Sequence, residues 1–130
     1  MLLKHCWPGI AWSLFILIIT LLPGKAIPDV GVWNADKYVH FFIFGLLVIL
    51  SAHGLTKSNL IKNKIPKPLL VAVVYSFVLG ILIEVLQLFV PGRNFSFLDV
   101  VANSIGVALG YLIFVRFKNS IHKLMEKFHA

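Results

Sequence analysis

The stretch IEVLQLFVPGRNFSFLDVVAN, residues 83–103, decides the fold, because it places polar residues on both sides of a helix-breaking pair inside apolar sequence. The pair Pro91-Gly92 is typical of a helix end, so the stretch predicts two helices joined by a tight connection. Glu84 lies in the helix before the break, and Asp99 lies in the helix after it. A carboxylate inside an apolar segment is costly and often functional, which makes this hairpin the first place to look for a site.

The composition indicates a membrane protein. Of the 130 residues, 59% are apolar, and the mean hydropathy is +0.93, whereas a soluble domain is about 45–50% apolar. The length predicts a single domain. The net charge of +7 comes from lysines that flank apolar segments, so no nucleic-acid partner is predicted. The lone Cys6 can form neither an internal disulfide nor a cysteine metal site.

Four apolar segments predict an all-α integral membrane bundle of four transmembrane helices. The segments lie at about 6–23, 38–55, 68–90 and 97–115, and each is long enough to cross a hydrocarbon core of about 30 Å. The first segment also resembles a signal peptide, with Lys4 before it and a weak cleavage-like sequence after it. Its removal would leave three spans, but the distribution of charge favours four.

The basic residues predict the orientation of these spans. Nine of the twelve lysines and arginines lie before the first segment, between the second and third, or after the fourth. Positive residues in short loops favour the cytoplasmic side, so both termini and the middle connection are expected in the cytoplasm, and the protein in the cell membrane. The tail 116–130 has apolar residues at helical spacing among lysines, which predicts an amphipathic helix on the inner leaflet.

Under this topology the polar residues that seem out of place all fall near the outer face. Asp36 and His40 are four residues apart, as are Asp99 and Asn103, so each pair shares one face of its helix. Glu84 and Gln87 are three residues apart and can also share one face of their helix. The candidate ligand-binding residues are Asp36, Lys37, Gln87, Arg93, Ser96 and Asn103, and the candidate catalytic residues, if the protein is an enzyme, are His40, Glu84 and Asp99.

Each of these residues also has a simpler interpretation. Polar side chains near a helix end can reach the interface at little cost, and amides can form hydrogen bonds between helices worth about 0.6–2 kcal/mol each. Glu84 fits this interpretation least, because it lies about 10 Å inside the break at Pro91 and needs a partner there. Gly106 and Gly110 predict close packing of a neighbouring helix, either within the chain or in a homo-oligomer.

Two blocks of these residues resemble the signature of the VanZ-like family of small membrane proteins. The first block is DKYVHFF, residues 36–42, and the second is EVLQLFVPGRNFSFLDVVANSIG, residues 84–106. The resemblance covers roughly residues 10–115, with one departure, since Phe44 stands where family members often carry a tyrosine. It implies an integral membrane protein, and the family takes its name from an accessory protein linked to resistance to the glycopeptide teicoplanin.

The first functional hypothesis is a pocket on the outer face that binds the headgroup of an envelope lipid or glycolipid. Lys37 and Arg93 would contact its phosphate, and the acids and amides would orient these cations. The second hypothesis is an enzyme acting on such a headgroup, with His40 and a carboxylate as general base. The residue types would also suit Zn²⁺ or Mn²⁺, but nothing in the spacing demands an ion, so no metal and no cofactor is predicted.

Two further hypotheses stay open. In a proton-coupled transporter, Glu84 and Asp99 would form a relay, although Ser51, His53 and Tyr75 are the only polar candidates in the cytoplasmic half. In a structural bundle, the polar residues would only lock helix ends together, and replacing an acid would reduce the amount of folded protein.

Overall fold

The structure is a computed structural model that describes residues 2–21, 35–57, 67–91 and 97–129. These ranges form four helices and contain no strand, so the predicted all-helical fold is confirmed. The helices are α1 (Leu2–Thr20), α2 (Ala35–Lys57), α3 (Pro68–Gln87) and α4 (Phe97–His129).

Three of the helices are long and apolar enough to cross a membrane. They are the Lys37–Lys57 part of α2, all of α3, and the Phe97–Lys127 part of α4, while His5–Thr20 in α1 forms a shorter apolar helix. The large apolar side chains exposed on the outside of the bundle, such as Phe42, suit contact with lipid. The fourth span and the cytoplasmic position of both termini stay predictions.

Helix α2 contacts each of the other three helices, and its most extensive interface is with α4. The two helices run in the same direction, because His40 contacts Asn103 near the start of both helices and His53 contacts His122 further along both. Gln87, the last residue of α3, donates a hydrogen bond to the carbonyl oxygen of Thr20, the last residue of α1, at 2.7 Å. Because Glu84, near the end of α3, lies 3.8 Å from His40, near the start of α2, the starts of α2 and α4 lie at the same end of the bundle as the ends of α1 and α3.

Two glycines allow α4 to lie directly on the backbone of α2. A Cβ atom on Gly106 would collide with the carbonyl oxygen of Phe41, and one on Gly110 would collide with the carbonyl oxygen of Gly45 and with Val48. The close packing expected from these glycines thus takes place within the chain. A homo-oligomer through the same residues stays a prediction.

Helix α4 continues beyond residue 115, where the predicted fourth segment ends. Its backbone is kinked at Phe117 (φ −118°, ψ 26°) and then resumes as helix to His129. Beyond the kink, His122 contacts His53, with 2.7 Å between their Nδ1 atoms, and Glu126 pairs with Lys57 at 3.2 Å. The segment after the kink is therefore packed against the end of α2, and its contact with an inner leaflet stays a prediction.

Candidate functional site

His40 lies at the centre of a polar cluster between α2, α3 and α4. Its side chain is buried, and its Nδ1 atom lies 2.9 Å from Oδ1 of Asn103. Because an amide oxygen can only accept, the ring carries its hydrogen on Nδ1 and donates it to Asn103. The other ring nitrogen, Nε2, lies 3.8 Å from Oδ2 of Asp99. The contact with Asn103 thus determines which ring nitrogen points at the carboxylate.

Two carboxylates from different helices lie on either side of this ring. Glu84, on α3, is completely buried, and its Oε1 atom lies 3.8 Å from Nδ1 of His40. Asp99, in the first turn of α4, is 6% exposed. One ligand-type atom from each of His40, Glu84 and Asp99 can be chosen so that all three lie within 4.8 Å of one another. Residues far apart in sequence therefore form one compact group.

Lys37 connects this buried group to the edge of the bundle. Its ammonium group donates a hydrogen bond to Oδ1 of Asp99 at 3.2 Å, and its side chain is 24% exposed. It lies in the first turns of α2, three residues before His40. A lysine in this position can hold the buried carboxylate and still reach a charged group outside the bundle.

The two predicted amides have different roles. Gln87 donates its one described side-chain hydrogen bond to the backbone of Thr20, so it ties α3 to α1 and does not contact the acids through that bond. Asn103 is 3% exposed, and its Nδ2 atom has no hydrogen-bond partner in the described part of the chain. That atom lies 3.1 Å from the place where a Cβ on Gly80 would stand. Asn103 therefore belongs to the cluster, with one donor still available.

Three predicted site residues cannot be placed in the cluster. Arg93 and Ser96 lie outside the described residues, and so does the side chain of Asp36, whose backbone belongs to the first turn of α2. The roles predicted for them stay predictions.

Two residues beside the site were not among the predicted site residues, although the sequence had marked Phe44 as a departure from the family pattern. Phe44 is completely buried, and its ring is nearly parallel to that of His40, with 6.4 Å between the ring centroids. Gly80 faces both Phe44 and Asn103, and a side chain there would press on each of them. Gly80 lies one helical turn before Glu84, and that spacing is the signal that could have revealed it.

A second buried polar contact lies at the opposite end of the bundle. His53 is completely buried and lies against His122, with the ring of Phe114 edge-on to His122. The sequence gives no local signal for this pair, because its members are 69 residues apart. It is separate from the cluster around His40.

Helices of membrane-spanning length and a buried group of histidine, carboxylates and lysine at one end of the bundle define the class as a small helical membrane protein with a polar site. A sequence model of the VanZ/LLP1 family matches residues 6–118. The chain therefore belongs to the VanZ-like family, and the matched range includes every predicted site residue. No curated protein and no solved structure matches the chain.

Proposed function

We propose that this VanZ-like protein binds the headgroup of an envelope lipid or glycolipid with the cluster around His40. The observation that carries the proposal is the convergence of Lys37, His40, Glu84 and Asp99 from three helices at one end of the bundle. Buried charged groups within apolar helices are costly, and placing them together where the helices end suits recognition of a polar headgroup at the membrane surface.

Among the residues that the structure describes, most lysines and arginines lie at the opposite end of the bundle. Lys57 ends α2, Lys67 precedes α3, and Arg116 and Lys118 flank the kink in α4. Positive residues favour the cytoplasmic side, which supports a four-span protein of the cell membrane with both termini inside and the cluster in the outer leaflet. The ligand would then be a lipid of the outer leaflet or a lipid-linked envelope precursor.

The side chains suit a phosphate joined to a sugar or another polar group. Lys37 is held by Asp99 and is partly exposed, so it can donate to a phosphate oxygen without leaving its partner. Arg93, predicted in the connection between α3 and α4, would add a second cation with two parallel donors. Asn103 and the carboxylates can bind hydroxyl groups of the same headgroup.

The test is to purify the protein gently, identify its bound lipids by mass spectrometry, and compare Lys37→Ala with Lys57→Ala. The two lysines are matched, because each forms a 3.2 Å ion pair with a carboxylate of α4, but only Lys37 belongs to the cluster. We expect Lys37→Ala to lose most of a phosphate-bearing lipid that wild type and Lys57→Ala retain. The same lipids in the same amounts in all three, and in a Lys37→Ala/Arg93→Ala double variant, would contradict the proposal.

A second candidate function is a membrane hydrolase or transferase acting on a lipid-linked headgroup. His40 favours it, because Asn103 holds its Nδ1 at 2.9 Å and Nε2 lies 3.8 Å from Oδ2 of Asp99, and a histidine held in a fixed orientation can act as general base. Incubation of purified protein with labelled lipid-linked precursors distinguishes the two functions. Product that forms with wild type and not with His40→Ala supports an enzyme, and no product from any lipid class excludes it.

The link to glycopeptide resistance that the family resemblance implies would follow from either function. Expression in a teicoplanin-susceptible host should raise the inhibitory concentration of teicoplanin for the wild-type chain and not for Glu84→Gln at equal protein level. An equal rise in the inhibitory concentration for wild type and Glu84→Gln would show that resistance does not depend on the cluster.

A further inference from the structure

We propose that His40, Glu84 and Asp99 bind a divalent ion of the first transition row, with Zn²⁺ and Mn²⁺ as the best candidates. The three side chains come from α2, α3 and α4 and are all buried. One nitrogen and two carboxylate oxygens form a donor set that suits these ions. Nothing in their spacing along the sequence demands an ion, but the fold brings one ligand-type atom of each residue within 4.8 Å of the others.

The orientation of His40 is that of a metal ligand. Its Nδ1–H is directed at the amide oxygen of Asn103, and Nε2, the ring nitrogen that remains to bind an ion, lies 3.8 Å from Oδ2 of Asp99. Histidines that bind metals usually donate their other N–H to an oxygen, which fixes the ring. The contact with Asn103 thus leaves Nε2 directed at Asp99, as in a histidine that binds an ion through this nitrogen.

The distances favour an ion over a direct hydrogen bond. Nε2 of His40 and Oδ2 of Asp99 are 3.8 Å apart, beyond the roughly 2.7–3.2 Å of an N–H···O hydrogen bond. Two ligands at about 2.0–2.2 Å from one ion can be up to about 4.2 Å apart. One ring nitrogen of His40 and one carboxylate oxygen each of Glu84 and Asp99 lie within 4.8 Å of one another, so modest shifts of the side chains would bring all three residues within reach of one ion.

The two oxygens of Asp99 can bind two different cations, the ion and the ammonium group of Lys37. Asp99 directs Oδ1 to Lys37 and Oδ2 to His40, so one carboxylate can serve both cations. Three protein ligands leave at least one position of a four-coordinate ion open. This part of the inference rests on the proposed function: the open position would take a phosphate oxygen of the headgroup, and Nδ2 of Asn103, which has no hydrogen-bond partner in the described chain, could donate to the same group.

The test measures binding of Zn²⁺ and Mn²⁺ alone to the purified, chelator-treated protein by equilibrium dialysis with elemental analysis. We expect one ion per chain in wild type, and binding weaker by more than about 100-fold in His40→Ala and Asp99→Asn, since each removes a ligand. Asn103→Ala, which removes only the partner of His40, should weaken binding by about 10–100-fold. The control is His122→Ala, which removes a histidine of the pair at the other end of the bundle.

Three outcomes would overturn the inference. They are no bound ion in wild type, binding by His40→Ala equal to that of wild type, and a loss of binding in His122→Ala instead of His40→Ala. Because a ligand variant can fail to fold, the Tm of each is also measured with and without ion. We expect an ion-dependent rise in Tm for wild type and His122→Ala but not for Asp99→Asn, whose side chain keeps its shape.

The failure of this inference can be told apart from the failure of the proposed function. If wild type binds no ion but the difference in bound lipid between Lys37→Ala and Lys57→Ala remains, the metal site is wrong and headgroup binding stands. If the ion binds through His40 but the two lysine variants retain equal lipid, the metal site stands and headgroup binding is wrong.

Discussion

At the scale of single residues, the site depends on the hydrogen bond between His40 and Asn103, which is not an ion pair. Asn103 accepts from His40 and so orients a ring that lies between two buried carboxylates. A buried polar group that loses its partner costs more than the net value of the bond. Asn103 is therefore as important to the geometry as the charged residues.

Replacing Asn103 with alanine should lower the stability of the bundle, because Nδ1–H of His40 would lose its acceptor in a buried place. We expect a loss of about 1–3 kcal/mol in the free energy of unfolding, measured by thermal or denaturant unfolding in detergent. Ser104→Ala is the matched control. Within the described part of the chain, the Ser104 hydroxyl donates to the carbonyl oxygen of Val100 on its own helix, so this change should cost about 0.5 kcal/mol or less. Equal losses of unfolding free energy in the two variants would show that the hydrogen bond to His40 does not stabilise the bundle more than the bond of Ser104 does.

At the scale of helices, the contact between α2 and α4 positions the site. Gly106 and Gly110 allow the backbones of α2 and α4 to lie close together. Because the two helices run parallel, His40 lies beside Asn103 at one end. The same parallel course places His53 beside His122 at the other end. The separation and register of one helix pair thus determine both polar contacts.

Replacing Gly106 with valine should separate α2 from α4, because any Cβ there would meet the carbonyl oxygen of Phe41. Overpacking of this kind costs about 1–3 kcal/mol or more, and we expect less folded protein and a lower Tm in detergent. Ala108→Val on the same helix is the control, since residue 108 is exposed. A Tm for Gly106→Val as high as that of Ala108→Val would contradict the close packing of the two helices.

At the scale of the whole molecule, the two ends of the bundle differ in charge and chemistry. One end holds the cluster around His40, and the other holds Lys57, Lys67 and Lys118 with the histidine pair. A membrane distinguishes such ends, because positive residues stay on the cytoplasmic side. The function proposed for the cluster therefore depends on which way the chain is inserted.

A reporter enzyme that is active only outside the cytoplasm tests this orientation. Fused after residue 94, between α3 and α4, the reporter should be active, and fused after residue 60, between α2 and α3, it should be inactive. The second fusion is the control for expression and cleavage. The reverse pattern would place the cluster in the inner leaflet and exclude a headgroup of the outer leaflet as its ligand.

Much of this organisation could be predicted from the sequence, because it depends on local patterns. Apolar length gives the helices, and helical spacing puts Asp99 and Asn103 on one face. Contacts between distant residues could not be predicted in the same way. Gln87 bonds to a backbone oxygen of α1, and any residue can supply such an oxygen, so the sequence contains no signal for it. The parallel packing of α2 on α4 likewise depends on the whole bundle.

The apolar stretch of α2 between its two histidines has an electrical consequence. Residues 41–50 carry no polar side chain and span about 15 Å of helix. A transmembrane voltage of 100 mV acts on one elementary charge with about 2.3 kcal/mol, and most of that voltage falls across the layer of lowest dielectric constant. The proposed topology places the cluster at one edge of this layer, so we expect headgroup or ion binding in vesicles to stay unchanged when a membrane potential is applied.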